Sequence, residues 1–279
     1  MYRIGIMQGR LVPPLDGRLQ AFPSHAWREE FSLARLAGLD ALEWIYDLAG
    51  EEANPLATDA GIEEIKSLSR RHGVAIRSVC ADYFVERPLF STTPEERDER
   101  FLKLKWLLSQ SSKLGVSRIV LPFVDHSSIS SLEDKSCVEG QLQRMEPYLK
   151  ECGIEIHLET SLDPAGFRQL LDVLAPSLYK VNYDSGNSAS LGFDPADEFP
   201  AYGDRVGSVH VKDRKRSGGT VPLGQGGTDF ERLFHELQKS HYRGDFILQV
   251  ARGIVGQEVD WAKKNKKWVE NLLRGNESL

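Results

Sequence analysis

Short apolar, β-branched runs recur along the chain, each followed by a longer segment whose apolar positions repeat at helical spacing. Eight such pairs are counted, with strands expected at residues 3–7, 41–44, 75–79, 118–121, 155–158, 180–183, 207–211 and 246–250. Helix starts are marked by side chains able to cap free backbone N–H groups. Thr93-Pro94-Glu95-Glu96, Ser130-Ser131-Leu132-Glu133 and Thr228-Asp229-Phe230-Glu231 each place a hydroxyl residue three positions before an acid, and Asp194-Pro195 pairs a cap with a first-turn proline. Glycines 38, 73 and 115 stand just before strands, where a left-handed helix end is needed. The stretch 11–23, rich in Pro and Gly, reads as a long loop after the first strand, and 263–279, with Trp268, Val269, Leu272 and Leu273 on one stripe, as the last outer helix.

Repeated strand–helix alternation calls for a parallel sheet, and eight repeats call for closure. The expected fold is therefore α/β, a (β/α)8 TIM barrel forming a single domain over residues 1–279, a length suited to one such barrel. In that architecture the loop at 11–23 lies on the catalytic face, where it either covers the site or serves as plain surface.

Composition narrows the function classes. The chain is 41% hydrophobic and 27% charged with a net charge of -6, which argues against a nucleic acid backbone as partner. Three cysteines, 80, 137 and 152, show no CxxC spacing, so neither a disulfide framework nor a cysteine zinc site is expected, and a cytoplasmic setting is the simplest. The N-terminal Met1–Met7 stretch carries no export pattern and no apolar run is long enough to span a membrane, so no membrane partner is expected.

Apolar side chains fill barrel strands, so polar residues at the strands' C-terminal ends stand out. Glu159, Asp184, His210 and Gln249 occupy the ends of the fifth to eighth expected strands. Three oxygen donors and one imidazole suit one divalent cation, Mn2+, Mg2+ or Co2+, with Zn2+ as a further option. Taken singly, each is better explained by ordinary hydrogen bonding; jointly they favour a metal site.

At these residues a family resemblance emerges. Asp184-Ser185-Gly186-Asn187, Val209-His210-Val211-Lys212-Asp213, Val221-Pro222-Leu223-Gly224-Gln225-Gly226 and the segment from Tyr242 to Gln249 resemble the signatures of the xylose-isomerase-like sugar phosphate isomerase/epimerase superfamily. The likeness is greatest to the ketose 3-epimerases, including those acting on L-ribulose 5-phosphate. It implies a (β/α)8 barrel holding one divalent metal through Glu, Asp, His and Glu, of which the first three fall on Glu159, Asp184 and His210. Assembly as a homodimer or homotetramer is likewise implied.

The fourth ligand departs from that pattern, because Gln249 stands where the family has glutamate. In the implied scheme one glutamate removes a proton and the other returns one to the opposite face of an enediolate. Glutamine can lend its carbonyl oxygen to a metal, yet cannot carry a proton. Three readings stay open: another residue, Lys212, Asp213 or His126, acts as second acid or base; Glu159 alone performs a single-face transfer; or the chain binds a sugar without turning it over.

The expected substrate is a small sugar or sugar phosphate, with Glu159 and Lys212 as catalytic residues. Glu43, Arg10, His126, Asn187 and Arg216 are the expected substrate contacts. For Glu43 a wall ion pair is the alternative, and for Arg10 an anchor for the long loop. The basic run 214–216 followed by Gly224–Thr228 could form an anion site at a helix start, or remain a solvated loop. Apurinic-site endonucleases are the rival enzyme class, disfavoured because Asn187 stands where that family has a ligand histidine and the net charge is acidic.

Overall fold

A computed structural model describes residues 2–90 and 93–276. Its strands are β1 (Ile4–Met7), β2 (Ala41–Ile45), β3 (Ala75–Cys80), β4 (Arg118–Phe123), β5 (Glu155–Thr160), β6 (Tyr179–Asp184), β7 (Val206–Val211), a hairpin of β8 (Asp213–Arg214) and β9 (Thr220–Val221), and β10 (Phe246–Leu248). Eight of them close a parallel barrel in the order β1-β10-β7-β6-β5-β4-β3-β2. The expected (β/α)8 barrel is thus present, every strand in place.

Strand ends differ from the expected ones for a physical reason. The fourth and fifth strands run past the expected ends at Leu121 and Leu158, pairing Pro122 with Glu159 and Phe123 with Thr160, and in β5 the added residues are polar. Backbone hydrogen bonding ignores the polarity of the side chain it carries, so polar catalytic-face residues extend a strand that hydropathy would end. The last strand, by contrast, ends at Leu248, though Gln249 still donates its N–H to the Val211 carbonyl at 3.0 Å.

Helices α1 (Glu29–Leu36), α2 (Asp59–His72), α3 (Tyr83–Glu86), α4 (Pro94–Leu114), α5 (Leu132–Cys152), α6 (Pro164–Asp172), α7 (Ser185–Leu191), α8 (Pro195–Tyr202), α9 (Phe230–Lys239) and α10 (Glu258–Asn276) complete the chain. The capping box expected at Thr93 forms with Glu96, and Asp194 caps α8 ahead of Pro195. Ser131 caps α5 with Asp134 rather than Glu133 as its reciprocal partner. At α9 the cap is Asp229, one residue later than the Thr228 pattern suggests, because the Thr228 hydroxyl instead donates to the Ser185 carbonyl. The tail forms α10, with Val269 buried and the Trp268 ring edge-on to Phe230 at 4.6 Å; residues 277–279 of that expected helix, and Met1 of the N-terminal stretch, lie outside the described residues.

The barrel's lower end is plugged by charge. Asp245, just before β10, accepts from Arg118 of β4 at 2.9 Å and from Arg77 of β3 at 3.0 Å. Gly244 beside it allows the approach, since a Cβ there would lie 2.4 Å from the Gly207 carbonyl oxygen.

Candidate functional site

At the upper end, β5, β6 and β7 bring Glu159, Asp184 and His210 together, with one donor atom from each within 4.8 Å of the others. Asp184 and His210 are register partners on adjacent strands, so the triad is a direct product of sheet pairing. All three side chains are buried. Among the described residues this is the one group of three or more His, Cys, Asp or Glu side chains able to hold a cation.

Each member is oriented by a second set of residues. Glu159 accepts from Asn182 at 2.8 Å and from Asn187 at 2.6 Å, and Asp184 accepts from the Asn187 N–H at 2.8 Å. His210 Nε2 lies 2.6 Å from Glu43, whose other oxygen accepts from the Ser78 hydroxyl at 2.6 Å. That contact places the ring proton on Nε2 and turns the Nδ1 lone pair towards Glu159 and Asp184. Nδ1 sits 3.3 Å from Glu159 without a hydrogen bond to it, so this buried nitrogen is left unmatched whether it carries a proton or a lone pair.

The side-chain oxygen of Gln249 is likewise buried and unpartnered. Two orphaned heteroatoms beside two carboxylates depart from the rule that buried polar atoms are paired, and one cation would satisfy both. The residues present therefore fit a divalent metal held by nitrogen and oxygen donors.

Electrostatics agree. Burial works against protonated His210, but Glu43 and Glu159 outweigh it and push its pKa up to about 10. Burial also raises Asp184, whereas for Glu159 the same burial is outweighed by His210 and Lys212, which hold its carboxyl below the usual range. A pocket this negative retains a positive charge of some kind, a proton or a metal.

Above the triad opens a cavity of about 260 Å³, with walls that include Arg18, Gln20, Asp82, Glu159, Asn187, Lys212, Arg214 and Gln249. Its size is below the usual range for drug-sized ligands and suits a small one. A larger cavity of about 860 Å³, lined by Tyr2, Asp40 and Phe246, lies at the opposite end of the barrel, away from the triad.

The expected contacts are distributed unevenly. Asn187 and Lys212 are at the mouth, the lysine 3.2 Å from Asp184 and 3.1 Å from Asn187. Glu43 is fully buried behind His210 with both oxygens engaged, so the structure separates it from substrate. Arg10 lines the cavity, yet its guanidinium is taken up by the Val250 and Leu19 carbonyls and by Gln20; it anchors the long loop. His126 is exposed on the turn after β4, while its neighbours Val124 and Asp125 line the cavity.

Arg216 points away as well, onto Gly192 beside a separate cavity. The anion site suggested at 224–228 does not form. Asp213 accepts from the Gly226 and Thr228 N–H groups at 2.8 and 3.1 Å, using the donors an anion would need. Sequence reasoning missed Gln20 and Asp82, and took Arg214 only as part of the basic run 214–216. Arg214 bonds Asn187 at 2.9 Å from the short strand β8, which carries on the alternation of His210 and Lys212; Arg216 shares that parity but stands past the strand, in the turn.

Fold and site define a (β/α)8 protein with a candidate cation centre on its catalytic face. The chain belongs to the xylose isomerase-like TIM barrel family, whose pattern matches residues 31–272. It is 24% identical over 269 residues, 89% of this chain and 92% of the other, to a protein of Escherichia coli named putative L-ribulose-5-phosphate 3-epimerase. Among solved structures, L-ribulose 3-epimerase superposes with a TM-score of 0.77 at 16% identity, covering 100% of this chain and 96% of that one. The IolI protein with a bound zinc atom gives 0.78 at 14% identity, over 99% and 100%. Relatives and neighbours of this kind carry the names of sugar epimerases.

Proposed function

We propose that this protein is a divalent-metal-dependent isomerase or epimerase acting on a small sugar or sugar phosphate through an enediolate formed by Glu159. The observation that carries the proposal is the buried triad with two unmatched donors, His210 Nδ1 and Gln249 Oε1, at the floor of a small polar cavity. Glu159, Asp184, His210 and Gln249 would hold the ion, with Mn2+, Mg2+ or Co2+ favoured by the oxygen-rich set and Zn2+ admissible. When bound, a divalent cation supplies Lewis-acid polarisation of sugar oxygens, which acidifies the neighbouring C–H.

The chain's own groups supply the rest. Glu159, kept ionised by Lys212 and by the positive charge the pocket holds, a proton on His210 or a metal in its place, is the base that takes the proton. Lys212 and Arg214 present cations to the oxygen that gains negative charge, and they suit a phosphorylated substrate. Asn187, gripped by Glu159, Lys212 and Arg214, keeps these groups in one frame.

The test is proton exchange. With Mn2+ in deuterated water, L-ribulose 5-phosphate or D-allulose should lose its C–H signal beside the carbonyl by NMR. Glu159→Gln should slow this by about 100-fold or more, the usual contribution of a positioned base. Sugar binding by calorimetry with no exchange from any ketose would instead favour a non-catalytic sugar-binding protein, the reading that Gln249 motivates.

A further inference from the structure

Epimerisation needs a proton to leave one face of a carbon and another to arrive on the opposite face, so one base fixed on one wall is insufficient. Glu159 serves one face, and Gln249 has no proton to exchange. The titratable groups lining the cavity therefore decide the question. Asp47 spends both oxygens on the Phe22 and Gly50 N–H groups at 2.9 Å each. Glu86 and Asp125 are exposed at the rim. Cys80 is buried, its thiol pushed well up by burial and by Asp82, and it donates to Asp82 at 3.2 Å. Lys212 is tied to Asp184, on the same side of the site as Glu159's own partners.

Asp82 remains. It follows β3, is only partly buried, lines the cavity and, unlike Asp47, is held by side chains alone: the Gln20 amide on one oxygen at 2.6 Å and the weakly donating Cys80 thiol on the other at 3.2 Å. Gln20 in turn accepts from Gln249 at 3.0 Å and from Arg10 at 3.1 Å. A carboxylate is thus held one residue away from Gln249, by the long loop that arches over the mouth. Glu159 is fixed by Asn182 and Asn187 on the β6 side, so the two carboxylates belong to separate hydrogen-bond networks on different walls of one cavity.

We propose that Asp82 is the second proton-transfer residue, acting on the face of the sugar that Glu159 cannot reach. This rests on the enediolate reading above. Glu159 takes the proton from the carbon beside the carbonyl; the C–H pair becomes the C=C bond and the carbonyl pair moves to oxygen. Asp82, in its acid form, then gives its O–H proton to the other face as the C=C pair forms the new C–H bond and the carbonyl returns. Glu159 ends protonated and Asp82 ionised, and exchange with solvent resets both. Burial, with Asp47 and Glu159 adding repulsion, pushes the Asp82 carboxyl up to about 6, while Gln20 and Cys80 oppose the rise; both forms are thereby accessible near neutrality.

The experiment compares wild type, Asp82→Asn and Asp82→Ala, all loaded with Mn2+, on L-ribulose 5-phosphate and D-allulose in deuterated water. Two rates are read by NMR: deuterium entering recovered substrate, and epimer formed. For Asp82→Asn, epimer formation should fall about 100-fold or more while deuterium still enters recovered substrate through Glu159. For Asp82→Ala, added formate should restore epimer formation several-fold, a rescue that a merely structural role would not give. Undiminished epimer formation in either variant overturns the role of Asp82 alone. So does loss of both rates in variants that fold and bind Mn2+ normally, or absence of formate rescue. Wild type that exchanges no proton from either sugar overturns the enediolate reading and this inference together.

Discussion

The Glu43–His210 contact shows how much one buried hydrogen bond decides. Glu43 fixes the imidazole proton on Nε2 and so makes Nδ1 the donor towards the triad. Glu43→Gln should weaken Mn2+ binding by about 10- to 100-fold in calorimetric titration, the usual effect of losing such a partner. The pH dependence follows with a definite sign. In metal-free protein the pKa of His210 stands at about 10, above its ordinary value of 6.5. Its contribution to stability is therefore fully present below pH 6.5 and lost as pH rises through about 10. Denaturation midpoints of metal-free protein should decline across that window, and Glu43→Gln should flatten the decline. A metal competes with the same proton, so Mn2+ affinity should rise with pH across the window.

Strands and loops set what those residues can meet. The triad arises where β5, β6 and β7 end, and the loop after β1 carries Gln20 over the mouth to join Gln249 and Asp82. Arg252 pins that loop through the Gly9 and Val12 carbonyls at 2.5 and 2.8 Å. At the lower end, Asp245 joins β10 to β3 and β4 through Arg77 and Arg118. Arg118 is 5% exposed, so Asp245→Ala strands a buried guanidinium. The cost should be about 3–5 kcal/mol, read as a fall in the urea midpoint at unchanged slope. An unaltered midpoint would show that water, and not Asp245, satisfies Arg118.

For the whole molecule, the barrel separates stability from chemistry: the ion-paired plug closes one end and the electronegative site opens at the other. No helix of the described residues is long and apolar enough to cross a membrane. Because an ion bound only to the folded state stabilises it by mass action, Mn2+ at 100 times its Kd should add about 2.7 kcal/mol. A chain of this size should then melt several degrees higher. Chelation should reverse the shift, and His210→Ala should abolish it. A melting temperature indifferent to every divalent cation would remove the basis of the metal site.

The barrel and the polar strand ends were legible in the order of residues along the chain. Hydrophobic periodicity reports which face of each element is buried, and eight repeats of one rhythm admit few topologies. Glu159, Asp184 and His210 were legible because a polar side chain closing an apolar strand has few bland explanations. Tertiary structure alone decided who meets whom. Glu43 and His210 lie 167 positions apart, and Gln20 and Gln249 lie 229 apart, distances over which local pattern carries no pairing information. Asp82 and Gln20 sat in loops, where neither the helical nor the strand period marks a direction. The same limit misplaced Arg216 and His126, because a charge in a loop faces whatever the turn geometry dictates. Closing the barrel and folding the first loop across it converted scattered carboxylates, amides and cations into one site.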